Sequence, residues 1–302
     1  MDNIDNNEES EFVFESGRFA HNKKFGYRDD TYGKKIFLHK LFPKLNNVTL
    51  SNLKIDFESV SFITPPIDSK KISDILSKHM TCYKKSKDSV IVDATGGVGG
   101  DTIMLSTQFN TVISIELDSV KYSYLKHNIE EYGFKNVTTI NGDSSLLVQK
   151  IACVDALYMD PPWGGRDYKL KTNIRLTFGN MELETFILNC FDKNMMASCP
   201  KIIGIKLPKN YDLKYLYEKI SGNHDIYLYP LKKINIVIVE KKVKEITDTN
   251  DNKNSPTNSD PQAINVHQTI CFEIPSHELS EPVDGSIGST NGSTIEKLPL
   301  LA

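Results

Sequence analysis

Short apolar runs alternate with helical patterns through the middle of this 302-residue chain, and this alternation limits the possible folds. The runs predict strands at 90–92, 111–115, 137–140, 154–159 and 202–207, helices at 101–107 and 120–131, and a closing antiparallel pair at 226–229 and 234–239. Strands separated by helices form a parallel sheet that is covered on both faces. The sequence therefore predicts an α/β fold with a mostly parallel, seven-stranded sheet and a C-terminal antiparallel hairpin.

The two ends of the chain differ in charge from the middle. Residues 1–17 carry six acids and no base, and residues 245–302 carry nine acids against two lysines, so the net charge of −3 leaves residues 18–244 at +10. A basic core suits a polyanion such as nucleic acid, although lysine-rich faces are often only solvated. We predict an acidic disordered start (1–17), a small basic helical extension that contributes to the pocket (18–87), the main domain (88–244), and a disordered acidic and polar tail (245–302).

Neither a membrane span nor an export signal is visible. The apolar runs fall short of the roughly 18 residues that a membrane helix needs, and the acidic start lacks the basic and apolar regions of a signal peptide. The five cysteines are odd in number and form no CxxC pair, which argues against a disulfide framework and a structural zinc site. We expect an intracellular monomer with reduced thiols, no metal and no membrane partner.

A loop with four glycines, residues 93–100, follows the first predicted strand directly and is called the glycine loop below. Glycines let the backbone approach a ligand closely, and the helix that follows adds a positive dipole. A dinucleotide would need a third glycine where Thr102 stands, and the charge of Asp93 would oppose a pyrophosphate. That charge could instead pair with the ammonium group of an amino-acid-bearing cofactor. The loop therefore favours S-adenosylmethionine, with Gly97 and Asp93 among its contacts.

Two further acids follow the next two strands. Glu116 ends the second strand, where a carboxylate can accept hydrogen bonds from both ribose hydroxyls. Asp143 follows the third strand and could accept a hydrogen bond from the adenine N6 amine. Each acid alone is typical of an ordinary surface. Three acids at the ends of successive strands, in register with a glycine loop, predict a cofactor site.

A rigid turn with the sequence Asp-Pro-Pro-Trp-Gly-Gly, residues 160–165, ends the fourth strand. The Asp160 carboxylate and the Pro161 carbonyl could accept hydrogen bonds from an exocyclic amine, and such bonds strengthen as positive charge builds on the nitrogen. Trp163 could stack on the base. A lone Trp usually lies in the core and Pro-Pro usually makes a turn. Their position after a cofactor loop nevertheless predicts an acceptor site, with Asp160, Pro161 and Trp163 as catalytic candidates.

These segments resemble the trimethylguanosine synthases, which methylate the N2 amine of 7-methylguanosine caps on small nuclear and nucleolar RNAs. The resemblance covers about residues 50–240, and its most specific part is Pro-Pro-Trp-Gly-Gly-x-Asp-Tyr. The similar segments are 55–65, 90–102, 115–119, 127–133, 142–143, 160–168 and 207–210. The resemblance implies a class I, Rossmann-like, S-adenosylmethionine-dependent methyltransferase that acts on capped RNA, in the nucleus or else the cytoplasm.

The resemblance also implies roles for single residues. Asp93, Glu116 and Asp143 would hold the cofactor with Thr64 nearby, and Trp163 would stack on the methylated guanine. The remaining implied substrate contacts are Asn128, at the edge of the guanine, and Lys209, which stands where the family has Arg and could meet the cap phosphates as a point charge.

Several positions depart from the family. Asp160 replaces Ser, Arg166 replaces Pro, and Val60-Ser61 replace Trp-Phe. With Asp160 the turn is similar to the DPPW motif of N6-adenine methyltransferases. Methylation of adenine or another exocyclic amine in nucleic acid is therefore the first alternative, and a non-catalytic protein of the same fold that binds capped RNA is the second.

Overall fold

The computed structural model describes residues 20–22, 27–29, 35–45, 48–242 and 296–297, with side chains for 38–45, 48–165 and 167–242. Its strands are β1 (Ala20–Asn22), β2 (Tyr27–Asp29), β3 (Lys35–Phe37), β4 (Val90–Asp93), β5 (Thr111–Glu116), β6 (Val137–Asn141), β7 (Ala156–Met159), β8 (Thr177–Phe178), β9 (Met181–Glu182), β10 (Ile202–Pro208), β11 (His224–Pro230), β12 (Ile234–Lys241) and β13 (Glu296–Lys297). Its α-helices are α1 (Ser59–Phe62), α2 (Pro66–Met80), α3 (Gly100–Gln108), α4 (Ser119–Glu131), α5 (Ser144–Leu147), α6 (Leu183–Cys190) and α7 (Leu213–Ile220).

The main sheet has the order β13-β11-β12-β10-β7-β4-β5-β6. Strands β10, β7, β4, β5 and β6 are parallel, and β12 and β11 form the antiparallel hairpin, so the predicted fold class is confirmed. The eighth strand, β13, pairs with β11, with Glu296 opposite Leu228. Glu296 and Lys297 of β13 belong to the tail predicted to be disordered, residues 245–302, and the other residues of that tail lie outside the described residues.

Helices cover both faces of the sheet. One face packs against α2 and α3, and this layer is fully buried at residues such as Leu76 and Ile238. The other face packs against α6 and α7, as at Phe186 and Val237. Burying one such side chain contributes about 1.5–3 kcal/mol, so two dry layers hold the strand ends in fixed positions.

The basic extension is only partly helical. Pro66 stands in the first turn of α2, where its missing N–H costs nothing, and this helix confirms helical structure in the second half of the extension. The first half differs, because β1, β2 and β3 form a small antiparallel sheet with Tyr27 opposite Phe37. Tyr27 in β2 and Ile36 and Phe37 in β3 are residue types that favour strands. Among the described residues, no helix is long and apolar enough to span a membrane.

Candidate active site

A cleft of about 390 Å³ opens at the carboxyl ends of the parallel strands. Its walls come from the glycine loop after β4, the ends of β5 and β6, the turn after β7, and the segment around α1. Open α/β sheets bind their ligands at this edge. The lining residues that carry the chemistry are Thr64, Gly97, Asp101, Glu116, Asp143 and Asp160.

The glycine loop adopts a backbone that favours glycine. Gly97 has φ of 53°, and Gly99, which precedes the first turn of α3, has φ of 102°. The N–H of Gly97 donates to Glu116 Oε2 at 2.7 Å. A Cβ on Gly97 would meet no atom within 4 Å, so the loop faces open space in the cleft. The predicted glycine contact thus lies where a ligand can approach the backbone.

Asp93 lies outside the cleft. Its side chain is fully buried, and its carboxylate accepts hydrogen bonds from Thr102 Oγ1 at 2.6 Å and from the Thr95 N–H at 3.2 Å. Burial raises the pKa of Asp93 to about 7. The expected pairing of Asp93 with a cofactor ammonium therefore needs correction, because this carboxylate points into the protein and fastens α3 to the strand end.

Asp101 takes the position in the cleft that was expected of Asp93. Its Oδ2 accepts hydrogen bonds from Thr64 Oγ1 at 2.7 Å and from the Tyr158 hydroxyl at 2.9 Å. Its Oδ1 is buried and has no partner among the described residues. A buried carboxylate oxygen without a donor favours a cationic ligand. The sequence signal was an acid in the first turn of the helix that follows the glycine loop.

Glu116 and Asp143, the two other acids predicted to hold the cofactor, line the cleft. Both Glu116 oxygens accept backbone N–H groups, Oε2 from Gly97 and Oε1 from Asp118. Asp143 caps α5 and uses one oxygen, Oδ1, for the N–H and the hydroxyl of Ser145. These bonds fix both carboxylates at neighbouring strand ends, where they can accept hydrogen bonds from a nucleoside.

The turn at residues 160–165, called the acceptor turn below, is joined to the glycine loop by a hydrogen bond. The Asp160 N–H donates to Thr95 Oγ1 at 2.7 Å, and Asp160 and Pro162 line the cleft while Pro161 is buried. Asp160 Oδ2 accepts a hydrogen bond from the Lys206 ammonium at 2.6 Å. The sequence prediction missed Lys206, whose signal was a charged residue inside an apolar strand.

Asp160 and Lys206 form a largely buried ion pair. The side chain of Lys206 is 5% exposed and that of Asp160 is 24% exposed. Burial raises the pKa of Asp160, and the attraction of Lys206 acts in the opposite direction. Burial would lower the pKa of Lys206, but Asp160 and Asp101 outweigh it, so the pKa of Lys206 is raised. The lysine is therefore a fixed cation beneath the acceptor turn.

Trp163 is half-buried against both core layers and is not part of the cleft lining. The Trp163 and Tyr168 rings make an edge-to-face contact, with their centroids 5.1 Å apart. The Lys206 Nζ lies 5.5 Å from the centroid of the Trp163 ring. Gly164 and Gly165 follow it with φ of 86° and 77°. The indole stands beside the cleft on a turn that only glycines complete easily.

Two predicted substrate contacts are elsewhere. Asn128 is fully buried. Its side chain donates to the carbonyls of Lys54 and Val98 and accepts a hydrogen bond from the Lys54 N–H. It therefore links the extension to the glycine loop and cannot contact a guanine edge. Lys209 is exposed, bonds Asn235 Oδ1 at 2.9 Å, and lies outside the cleft lining. Partial desolvation lowers the pKa of Lys209.

This fold and this cleft define a class I S-adenosylmethionine-dependent methyltransferase, as the sequence predicted for fold and cofactor. Within that class, the chain belongs to the RNA cap guanine-N2 methyltransferase family, whose model matches residues 88–252. The resemblance drawn from the sequence is thereby confirmed at the level of the family.

Two proteins are similar to this chain in sequence, and one solved structure is similar to it. An uncharacterized protein of Acanthamoeba polyphaga mimivirus is 31% identical over 220 residues, which are 67% of this chain and 84% of that protein. The trimethylguanosine synthase of Schizosaccharomyces pombe is 30% identical over 168 residues, 54% of this chain and 65% of that protein. A putative methyltransferase from Streptococcus mutans, solved with SAH, is 20% identical, covers 60% of this chain and 99% of that chain, and has a TM-score of 0.41.

Proposed function

We propose that this chain transfers a methyl group from S-adenosylmethionine to the exocyclic N2 amine of the 7-methylguanosine cap of RNA. The observation that carries the proposal is the bond between the Asp160 N–H and Thr95 Oγ1, which joins the acceptor turn to the glycine loop in one cleft. The segment proposed to bind the cofactor and the segment proposed to bind the amine are thus adjacent, which supports methyl transfer between them. Membership of the RNA cap guanine-N2 methyltransferase family supports the choice of amine.

The chemistry of the cleft fits S-adenosylmethionine, which supplies an electrophilic methyl group when it is bound. Asp101 Oδ1, buried and without a partner among the described residues, would hold the ammonium group. Glu116 would accept the ribose hydroxyls, and Asp143 would accept the adenine amine. The open space beside Gly97 leaves room for the cofactor at the backbone.

The acceptor turn would activate the amine by hydrogen bonding. The nitrogen lone pair of an aromatic amine is delocalised into the ring, so an acceptor that draws on the N–H increases electron density at nitrogen. Lys206 occupies Asp160 Oδ2, which leaves Oδ1 for that bond. The bond strengthens as nitrogen becomes positive in the transition state, and the same carboxylate can then take the proton that the methylated amine loses.

Trp163 and Lys209 would bind the cap at the edge of the cleft. A cation–π contact between the cationic 7-methylguanine and the indole contributes about 1–2 kcal/mol when water is excluded. Because the indole lies beside the cleft, cap binding requires it to rotate on the turn that ends in Gly164 and Gly165. Lys209, exposed at the end of β10, would meet a cap phosphate.

An acceptor assay tests the proposal. Purified protein is incubated with labelled cofactor and m7GpppG, GpppG or an adenine-bearing oligonucleotide, and product masses are measured. We expect a gain of methyl groups on m7GpppG only. Label on adenine would establish the amine alternative in place of the cap, and cofactor binding with no transfer would favour a non-catalytic cap-binding protein.

A further inference from the structure

A buried lysine lies directly beneath the acceptor turn. β10 pairs in parallel with β7, with Ile205 opposite Met159. The next residue of β10 is Lys206, and the residue directly after β7 is Asp160. Lys206 is 4% exposed, and its ammonium donates to Asp160 Oδ2 at 2.6 Å and to Thr64 Oγ1 at 2.8 Å. The sheet register therefore places one cation against the carboxylate of the acceptor turn.

The surroundings of Asp160 offer no substitute for this cation among the described residues. Asp101, on α3, repels the charge of Asp160. The Trp163 Nε1 carries no charge and has no hydrogen-bond partner among the described residues. Tyr158, on β7, donates a hydrogen bond from its hydroxyl to Asp101. The charge of Asp68, on α2, helps to raise the pKa of Lys206. A buried carboxylate without a cation takes up a proton, and a protonated carboxyl is a weaker acceptor.

We propose that Lys206 is a positioning residue for methyl transfer: it keeps Asp160 ionised and holds its Oδ2, so that Oδ1 remains an acceptor for the substrate amine. This inference rests on the proposed function, in which Asp160 bonds an exocyclic amine. A buried lysine costs desolvation that an apolar residue on β10 would avoid. The pair lies at the floor of the cleft, with Asp160 facing the cleft and Lys206 sealed behind it.

Kinetics with m7GpppG test the role of the charge. In Lys206→Met we expect kcat at pH 7 to fall at least tenfold and the acidic limb of the kcat profile to move up by at least one pH unit. The KM for the cofactor is expected to stay within about twofold. Lys206→Arg keeps the charge and should keep the wild-type limb. The control is Lys201→Met, at the exposed residue just before β10, which should leave the profile unchanged.

A double variant separates a charge pair from two independent residues. Asp160→Ser leaves Lys206 without its partner, and Lys206→Met leaves Asp160 without its cation, whereas the double variant buries neither charge. We expect the double variant to be at least tenfold more active than the product of the two single losses. Losses that simply multiply, or a pH profile of Lys206→Met that overlays the wild type, would overturn the inference.

A second readout does not depend on turnover. Trp163 is the only tryptophan of the chain, so its fluorescence reports on the ionisation of the neighbouring Asp160. We expect the midpoint of the fluorescence titration to move to higher pH in Lys206→Met and to stay near the wild-type value in Lys206→Arg, with folding checked by circular dichroism.

If Lys206→Met does not fold, a changed midpoint in Lys206→Arg overturns the inference. If the wild type methylates no cap but the midpoint moves as stated, the proposed function fails while the control of Asp160 by Lys206 stands.

Discussion

At the scale of single residues, Asp101 is the acid to test for cofactor binding. Asp101→Asn keeps the size of the side chain and its bonds to Thr64 and Tyr158 but removes the charge beside the unpartnered Oδ1. Because charge-assisted hydrogen bonds contribute about 1.5–3 kcal/mol, we expect the Kd of S-adenosylmethionine to rise at least tenfold. Calorimetry measures it, with Asp74→Asn on the outer face of α2 as the control. An unchanged Kd would mean that the ammonium is bound elsewhere.

Asp93 predicts a dependence of stability on pH. Its pKa is raised to about 7 by burial, so the folded protein holds the proton more tightly than the unfolded chain. The charged form therefore lowers stability most above pH 7, by up to about 4 kcal/mol, and this penalty shrinks as the pH falls from 7 toward 4. We expect Asp93→Asn to be more stable relative to wild type at pH 8 than at pH 5. Urea unfolding at both pH values decides it, and an equal difference at the two would contradict the prediction.

At the scale of elements, the sequence was most informative where a strand ends. Each parallel strand was predicted to within two residues, because an apolar run stops at Gly, Pro or an acid. The same rule placed Glu116, Asp143 and Asp160 at one edge. The rule does not predict the direction of a side chain, and in the structure Asp93 and Asn128 point into the protein.

Long-range pairing was equally invisible in the sequence. Lys206 looked like one more basic residue until the register of β10 against β7 brought it beside Asp160. The small sheet of β1, β2 and β3 and the eight-residue helices α6 and α7 were also missed, since segments this short depend for their stability on the neighbours they pack against.

Helix α4 contributes to the site through Asn128, which links the extension to the glycine loop. Asn128→Ala would leave the Lys54 N–H and the carbonyls of Lys54 and Val98 without their bonds inside the protein. We expect the free energy of unfolding to fall by about 2–4 kcal/mol, because unsatisfied buried polar groups are costly. Lys126→Ala, at an exposed position of the same helix, should change it by less than about 0.5 kcal/mol. Denaturant unfolding of both variants makes the comparison, and a rise in the KM for the cap without a loss of stability would restore Asn128 as a substrate contact.

At the scale of the whole molecule, the charge distribution separates two parts of substrate recognition. The cleft is small and carries acids that suit a cationic cofactor and a cationic base, whereas residues 18–244 as a whole have a charge of +10. Specificity for the cap would come from the cleft, and attraction of the RNA chain would come from the basic surface outside it.

This division predicts how salt affects binding. A capped 20-nucleotide RNA should bind more tightly than m7GpppG at 50 mM KCl, and the advantage should vanish near 500 mM, because each neutralised phosphate releases counterions. With about three phosphates bound, log Kd should rise with log salt at a slope of about 2, while the value for m7GpppG changes much less. Fluorescence anisotropy measures the Kd of the capped RNA and the Kd of m7GpppG, with an uncapped 20-mer as the control. Equal affinities for m7GpppG and the capped RNA at low salt would mean that the basic surface does not bind the RNA chain.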